Sequence, residues 1–222
     1  MPKIYSHIVN ATTSLAIWHI TEDEDFFLKK VPLKTNITHP HKRLQHLAGR
    51  YLLQEIVPDF PMELIRIADT RKPYIKGDSH HFSISHCANF AAAIVSTNYR
   101  VGIDIEMYTE RMERILHKYL STEEQLLVNG QWLNVNGEWA IANRQLPTEI
   151  WHWLTLLWSV KEAVYKWFGN GEMGFIQHMQ TTKIEGATEG KIEMDFLRNP
   201  EPEQITIDYK LMDGFSLAWI LS

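Results

Sequence analysis

From Val101 to Glu106 the chain reads Val-Gly-Ile-Asp-Ile-Glu, an alternation that fits an extended strand and little else. Side chains of a strand point to alternate faces, so Ile103 and Ile105 project to one side while Asp104 and Glu106 project to the other. One face is made for burial; the other carries two carboxylates. Like charges this close are favourable only where a cation or hydrogen-bond donors neutralise them. A hard cation such as Mg2+ suits the role, because it prefers carboxylate oxygens, keeps several waters and often completes its shell with phosphate. Gly102 has no side chain, which lets a ligand or a second backbone come close. An exposed edge strand bearing an Asp and a Glu is the plain alternative.

A helix follows Pro147. Ile150, Leu154, Leu157, Val164 and Phe168 recur at helical spacing, Trp153, Val160 and Trp167 widen that face, and Gly169 supplies a stop. Thr155, Ser159, Glu162 and Lys166 form a polar stripe down the remaining side, which is expected to face a polar cleft. Read alone, Glu162 and Lys166 are also an ordinary i,i+4 ion pair on a solvated face, worth about 0.3–0.5 kcal/mol.

Taken together, the blocks Gly102-Ile103-Asp104-Ile105-Glu106 and Trp158-Ser159-Val160-Lys161-Glu162-Ala163-Val164-Tyr165-Lys166 resemble the signature of the 4′-phosphopantetheinyl transferases. Two further stretches agree in the same order: Arg71-Lys72-Pro73-Tyr74, and Phe82-Ser83-Ile84-Ser85-His86-Cys87. Chain length and the long first half resemble the two-lobed monomeric class. The resemblance implies an α+β fold of two similar mixed lobes, 1–103 and 104–222, related by a pseudo-twofold with the active site in the cleft between them. It implies that Asp104, Glu106 and Glu162 hold Mg2+ (Mn2+ is the other choice) against the pyrophosphate of coenzyme A. Glu162 is then the candidate base, acting with Asp104, Lys166 and His86. Lys161 and Lys166 match residues near the coenzyme phosphates, Lys72 one at the 3′-phosphate side, and Ser85 and His86 a coenzyme-contacting pair. Arg71 stands where the family usually has Gly.

The implied reaction moves phosphopantetheine from coenzyme A to a serine of an apo acyl or peptidyl carrier protein. Such chemistry depends on positioning and on stabilising charge, which explains the carboxylates and lysines. Residues 38–58 add an amphipathic helix through Leu44, Leu47, Ala48, Tyr51 and Leu52, with Thr38 and Pro40 as start signals. Arg43, His46 and Arg50 share a neighbouring face, and Arg43 or Arg50 is expected either to reach the adenosine phosphates or to be plainly solvated. His39, His41, His80 and His81 lack acidic or cysteine partners at metal spacing and read as loop histidines. Cys87, the sole cysteine, reads as a buried thiol outside any disulfide, and its neighbour His86 would point to the opposite face.

The chain has 222 residues with 45% hydrophobic content, enough for a substantial core. A formal charge of -5 argues against broad nucleic-acid binding. With no signal-peptide pattern and no long apolar run, a cytoplasmic enzyme is expected, with no membrane segment. Strands are expected near 15–20, 64–68, 82–85, 90–96 and 100–106, with a helix over 110–119 and a capping box at Ser121 and Glu124. The tail alternates at Ile192, Met194 and Phe196, then at Ile205, Ile207, Tyr209 and Leu211, and turns at Asp213-Gly214 into a hairpin. Two other functions use the same residues: a metal-dependent phosphohydrolase, and a carrier- or coenzyme-binding module without catalysis.

Overall fold

Strict alternation and a run of small side chains build the first half. The computed structural model describes residues 2–33, 36–77, 79–128 and 150–222. One unit comprises Met1–Ile105 with Lys166–Gly169 and Leu221–Ser222; the other comprises Glu106–Tyr165 and Asn170–Ile220.

The elements of the first unit are β1 (Lys3–Asn10), β2 (Thr13–His19), α1 (Glu24–Leu28), α2 (Pro40–Ile56), β3 (Ile65–Ile67), β4 (Pro73–Ile75), β5 (His81–Cys87) and β6 (Phe90–Ser96). Strands β1–β2–β6–β5 form an antiparallel sheet in that order, and β3 pairs with β4. Helix α2 buries Leu47, Leu52 and Leu53 in one cluster with Trp18, Phe82 and Val95. Its approach is close because the residues beneath are small: Ala91 and Ala93 have no exposed surface, and a Cβ on Gly49 would lie 2.6 Å from Ile84 Cγ2. The helix starts at Pro40, as expected, but the cap is His39 rather than Thr38, its ring accepting from Lys42 N at 3.4 Å.

β7 (Val101–Met107) and α5 (Ile150–Phe168) each run from one unit into the other along the chain. The second unit also holds α3 (Arg111–Ile115), α4 (Thr122–Val128), α6 (Phe175–His178), β8 (Met179–Gly186), β9 (Glu189–Phe196), β10 (Glu203–Met212) and β11 (Phe215–Leu221). The five-stranded sheet has the order β7–β11–β10–β9–β8. Ser159 and Ser216 share a buried 2.8 Å hydrogen bond, and the rings of Trp153 and Tyr209 lie 6.4 Å apart, so α5 rests on this sheet. Gly214 takes a φ of 86° at the tip of the expected hairpin, where Met212 faces Phe215.

The mixed α+β architecture agrees with the sequence, and several details differ. The helix expected over 110–119 breaks after Ile115 into a 3-10 turn, Leu116–Lys118. β1, β4 and β8 and the short helices α1 and α6 were not anticipated: β1, for one, has no fully buried position. The polar stripe of α5 does not face a cleft along its length, for Thr155 and Ser159 are buried and bonded inside the second unit. Asn136-Gly137, a dipeptide that favours a hairpin turn, lies within residues 129–149, outside the described residues.

Candidate active site

Alternation along β5 directs Phe82, Ile84 and His86 toward α2, and Ser83 and Ser85 to the opposite face. There Ser83 Oγ accepts from Ile103 N at 3.2 Å, and Ser85 Oγ donates to Asp104 Oδ1 at 2.7 Å. Lys166 closes the triangle: its ammonium donates to Asp104 Oδ1 at 2.6 Å and to Ser85 Oγ at 2.8 Å. Asp104 is 2% exposed, so both faces of β7 are buried at this point. Its two oxygens are treated unequally. Oδ1 accepts two hydrogen bonds, whereas Oδ2 is buried and has no hydrogen-bond partner among the described residues. Such an orphan costs free energy unless something fills it, and an anionic carboxylate oxygen is a fitting donor for a hard cation.

His86 follows Ser85 on the strand and is an exposed residue. Its pKa is lowered, first by desolvation and then by the Lys166 charge, against opposing pulls from its own backbone hydrogen bond and Asp104. The imidazole of His46 is pushed down to about 4 by burial, then by Arg50 and His86. Neutral His46 accepts from Arg50 at 3.1 Å through Nδ1. Arg43 is held elsewhere, donating to Glu24 at 2.7 Å and to the Ile37 carbonyl at 3.0 Å.

Lys72 lies against the end of α5. Its ammonium donates to the Trp167 carbonyl at 3.2 Å, and Thr70 Oγ1 donates to the Gly169 carbonyl at 3.1 Å. A cation at a helix C-terminus meets the negative end of the dipole. Gly169 terminates the helix at φ 71°, and a Cβ there would lie 2.7 Å from Lys72 Nζ. Arg71 adopts φ 65°, the left-handed conformation that a glycine takes without penalty. Burial and the charge of Arg100 pull Lys72 down to about 8.

Among the described residues of either unit alone, no three His, Cys, Asp or Glu side chains gather into a metal site. Asp104 belongs to one unit, Glu106 and Glu162 to the other; Glu106 follows Asp104 by two positions on β7, and Glu162 precedes Lys166 by one turn on α5.

The model of the 4′-phosphopantetheinyl transferase superfamily matches residues 100–220. The chain belongs to this superfamily. It is also similar to enterobactin synthase component D of Salmonella austin, 31% identical over 129 residues, which is 58% of this chain and 49% of that protein. The same-named proteins of Salmonella typhi and Salmonella typhimurium are 31% and 30% identical over 130 residues. The chain spans about half the length of the curated relatives it matches.

The superfamily match contains Asp104, Glu106, Lys161, Glu162 and Lys166 but stops short of Arg43, Arg50, Lys72, Ser85 and His86. Of these, Ser85 is hydrogen-bonded to Asp104 and Lys166, and Lys72 to the Trp167 carbonyl. Lys161 departs from its expected place at the coenzyme phosphates. Its side chain has no exposed surface, and its ammonium is committed to Glu124 Oε2 at 2.7 Å and to the carbonyls of Tyr119 and Met179 at 2.7 and 2.9 Å. Glu124 entered the sequence reading only as half of a capping box. That box is present, Ser121 N donating to Glu124 Oε2 and Glu124 N to Ser121 Oγ.

Proposed function

We propose that this protein transfers 4′-phosphopantetheine from coenzyme A to a serine of an apo acyl or peptidyl carrier protein, in a Mg2+-dependent reaction. The observation that carries this reading is the Ser85–Asp104–Lys166 triangle, which joins residues inside the superfamily match to one outside it and leaves one carboxylate oxygen bare. Asp104, Glu106 and Glu162 would hold the cation, which supplies neutralising charge for the coenzyme pyrophosphate.

In the proposed step the carrier serine oxygen bonds to the β-phosphorus while the bond from that phosphorus to the bridging oxygen breaks, releasing 3′,5′-adenosine bisphosphate. Glu162 takes the serine proton, because a hydroxyl is a weak nucleophile at neutral pH and a carboxylate within reach activates it. Lys166 stabilises negative charge growing on the phosphoryl oxygens, the interaction that lowers such barriers most. Asp104 and Ser85 hold that ammonium in place before substrate arrives. Lys72 and Arg50 bind the adenosine phosphates, with His86 beside them. Arg43 joins only by leaving Glu24.

Among the described residues no helix is long and apolar enough to cross a membrane. A cytoplasmic monomer acting on a diffusible carrier is the setting proposed. Incubating the protein with apo carrier, coenzyme A and Mg2+ and weighing the carrier by intact mass tests the proposal. A carrier heavier by one phosphopantetheine, and unchanged when chelator is added, is expected. Coenzyme breakdown without carrier would point to a hydrolase; binding without either product, to a non-catalytic module.

A further inference from the structure

We infer that the buried Lys161–Glu124 ion pair is a positioning device for Glu162, a role that rests on the transferase reading of that carboxylate. The pair is fully enclosed, both side chains having no exposed surface, and lies wholly within the second unit. Lys161 Nζ reaches four acceptors from separate segments: Glu124 Oε2 on α4, the Tyr119 carbonyl after the 3-10 turn, the Phe175 carbonyl at the start of α6 at 3.4 Å, and the Met179 carbonyl at the start of β8. Glu124 extends the network. Its Oε2 accepts from Ser121 N at 2.9 Å and its Oε1 from Thr181 N at 2.9 Å. One lysine thus ties α5 to α4, to α6 and to the first strand of the following meander.

A buried ion pair adds little net stability over apolar side chains of similar volume; what it supplies is a single allowed geometry. Four acceptors around one ammonium leave α5 no freedom to rotate or slide at residue 161. Glu162 is the next residue. A group that must take a proton from a bound hydroxyl loses rate steeply when displaced by a fraction of an ångström, and such groups are held by the packing and bonding of their neighbours. A side chain with no surface, moreover, cannot meet a coenzyme phosphate. Lys161 therefore acts through Glu162 and not on the ligand.

Three variants test this: Glu124→Asp, Lys161→Met, and the double variant Lys161→Met with Glu124→Gln, which leaves no unpaired charge and keeps one amide oxygen to accept from either Ser121 N or Thr181 N. Each is measured for thermal midpoint, for 3′,5′-adenosine bisphosphate affinity, and for kcat and KM with a carrier that the wild type modifies. In the double variant and in Glu124→Asp, kcat is expected to fall at least tenfold while nucleotide Kd and coenzyme KM stay within twofold. Folded variants with kcat within twofold of wild type would overturn the positioning role, as would a tenfold rise in nucleotide Kd with kcat unchanged. A double variant that fails to fold leaves Glu124→Asp to decide by the same limits, and failure of both to fold would make the pair a folding element and also overturn the role. A wild type that modifies no carrier would instead count against the transferase reading itself.

Discussion

Lys166 touches both Asp104 and Ser85, so its loss removes charge and leaves Asp104 Oδ1 with one donor. Lys166→Met is expected to lower kcat by about a hundredfold, the scale of losing one preorganised donor at developing charge; a single-turnover carrier assay measures it. Lys72 makes a pH prediction with a definite sign. Its pKa, depressed to about 8, means that the free protein holds it neutral above that pH. A phosphate beside it favours the charged form, so binding must take up a proton, and the Kd for 3′,5′-adenosine bisphosphate should climb toward tenfold per pH unit above about pH 8. An ordinary lysine would hold its charge to about pH 10.4. Calorimetry in buffers of different ionisation heat reads the proton uptake, and Lys72→Arg should flatten the slope. Arg71→Gly releases a left-handed strain of about 1–2 kcal/mol, offset by about 0.5–1 kcal/mol of unfolded-state entropy, so a small gain in denaturation free energy is expected.

Helix α2 meets β5 with almost no spare room. Gly49→Ala gains about 1 kcal/mol of helix propensity but drives a methyl into the stiff, β-branched Ile84, an overpacking cost of about 1–3 kcal/mol, and a net loss of about 1 kcal/mol is expected in urea unfolding. Combining it with Ile84→Ala should give less than the sum of the two single losses, because the clash disappears. Elements with strong periodicity were legible in the chain: α2, α5, β6, β7 and the β10–β11 hairpin all follow from spacing of apolar residues. The triangle was legible in part, since Asp104 and Lys166 stood in the two motif blocks. Lys161 was not. Its neighbour along the helix is polar and its own type is the one most often exposed, while the groups that hold it inward, Glu124 and the carbonyls of Tyr119, Phe175 and Met179, belong to other segments of the chain.

At the scale of the whole molecule, a ligand that binds only the folded protein stabilises it by mass action. At a hundredfold excess over Kd the gain is about 2.7 kcal/mol, or a rise in thermal midpoint of roughly 5–10 °C for a chain of this length, readable by calorimetry. The two-unit division falls between Ile105 and Glu106, a bond in the middle of a strand that apolar periodicity alone does not mark. Asp104 stands one residue before Ile105, with one oxygen saturated and the other without a hydrogen-bond partner among the described residues. A carboxylate divided in this way has a polarity of approach: whatever arrives can lodge only on the vacant side. Isotope-labelled aspartate at this position would then announce the newcomer through a changed carboxyl carbon resonance, before any product is made.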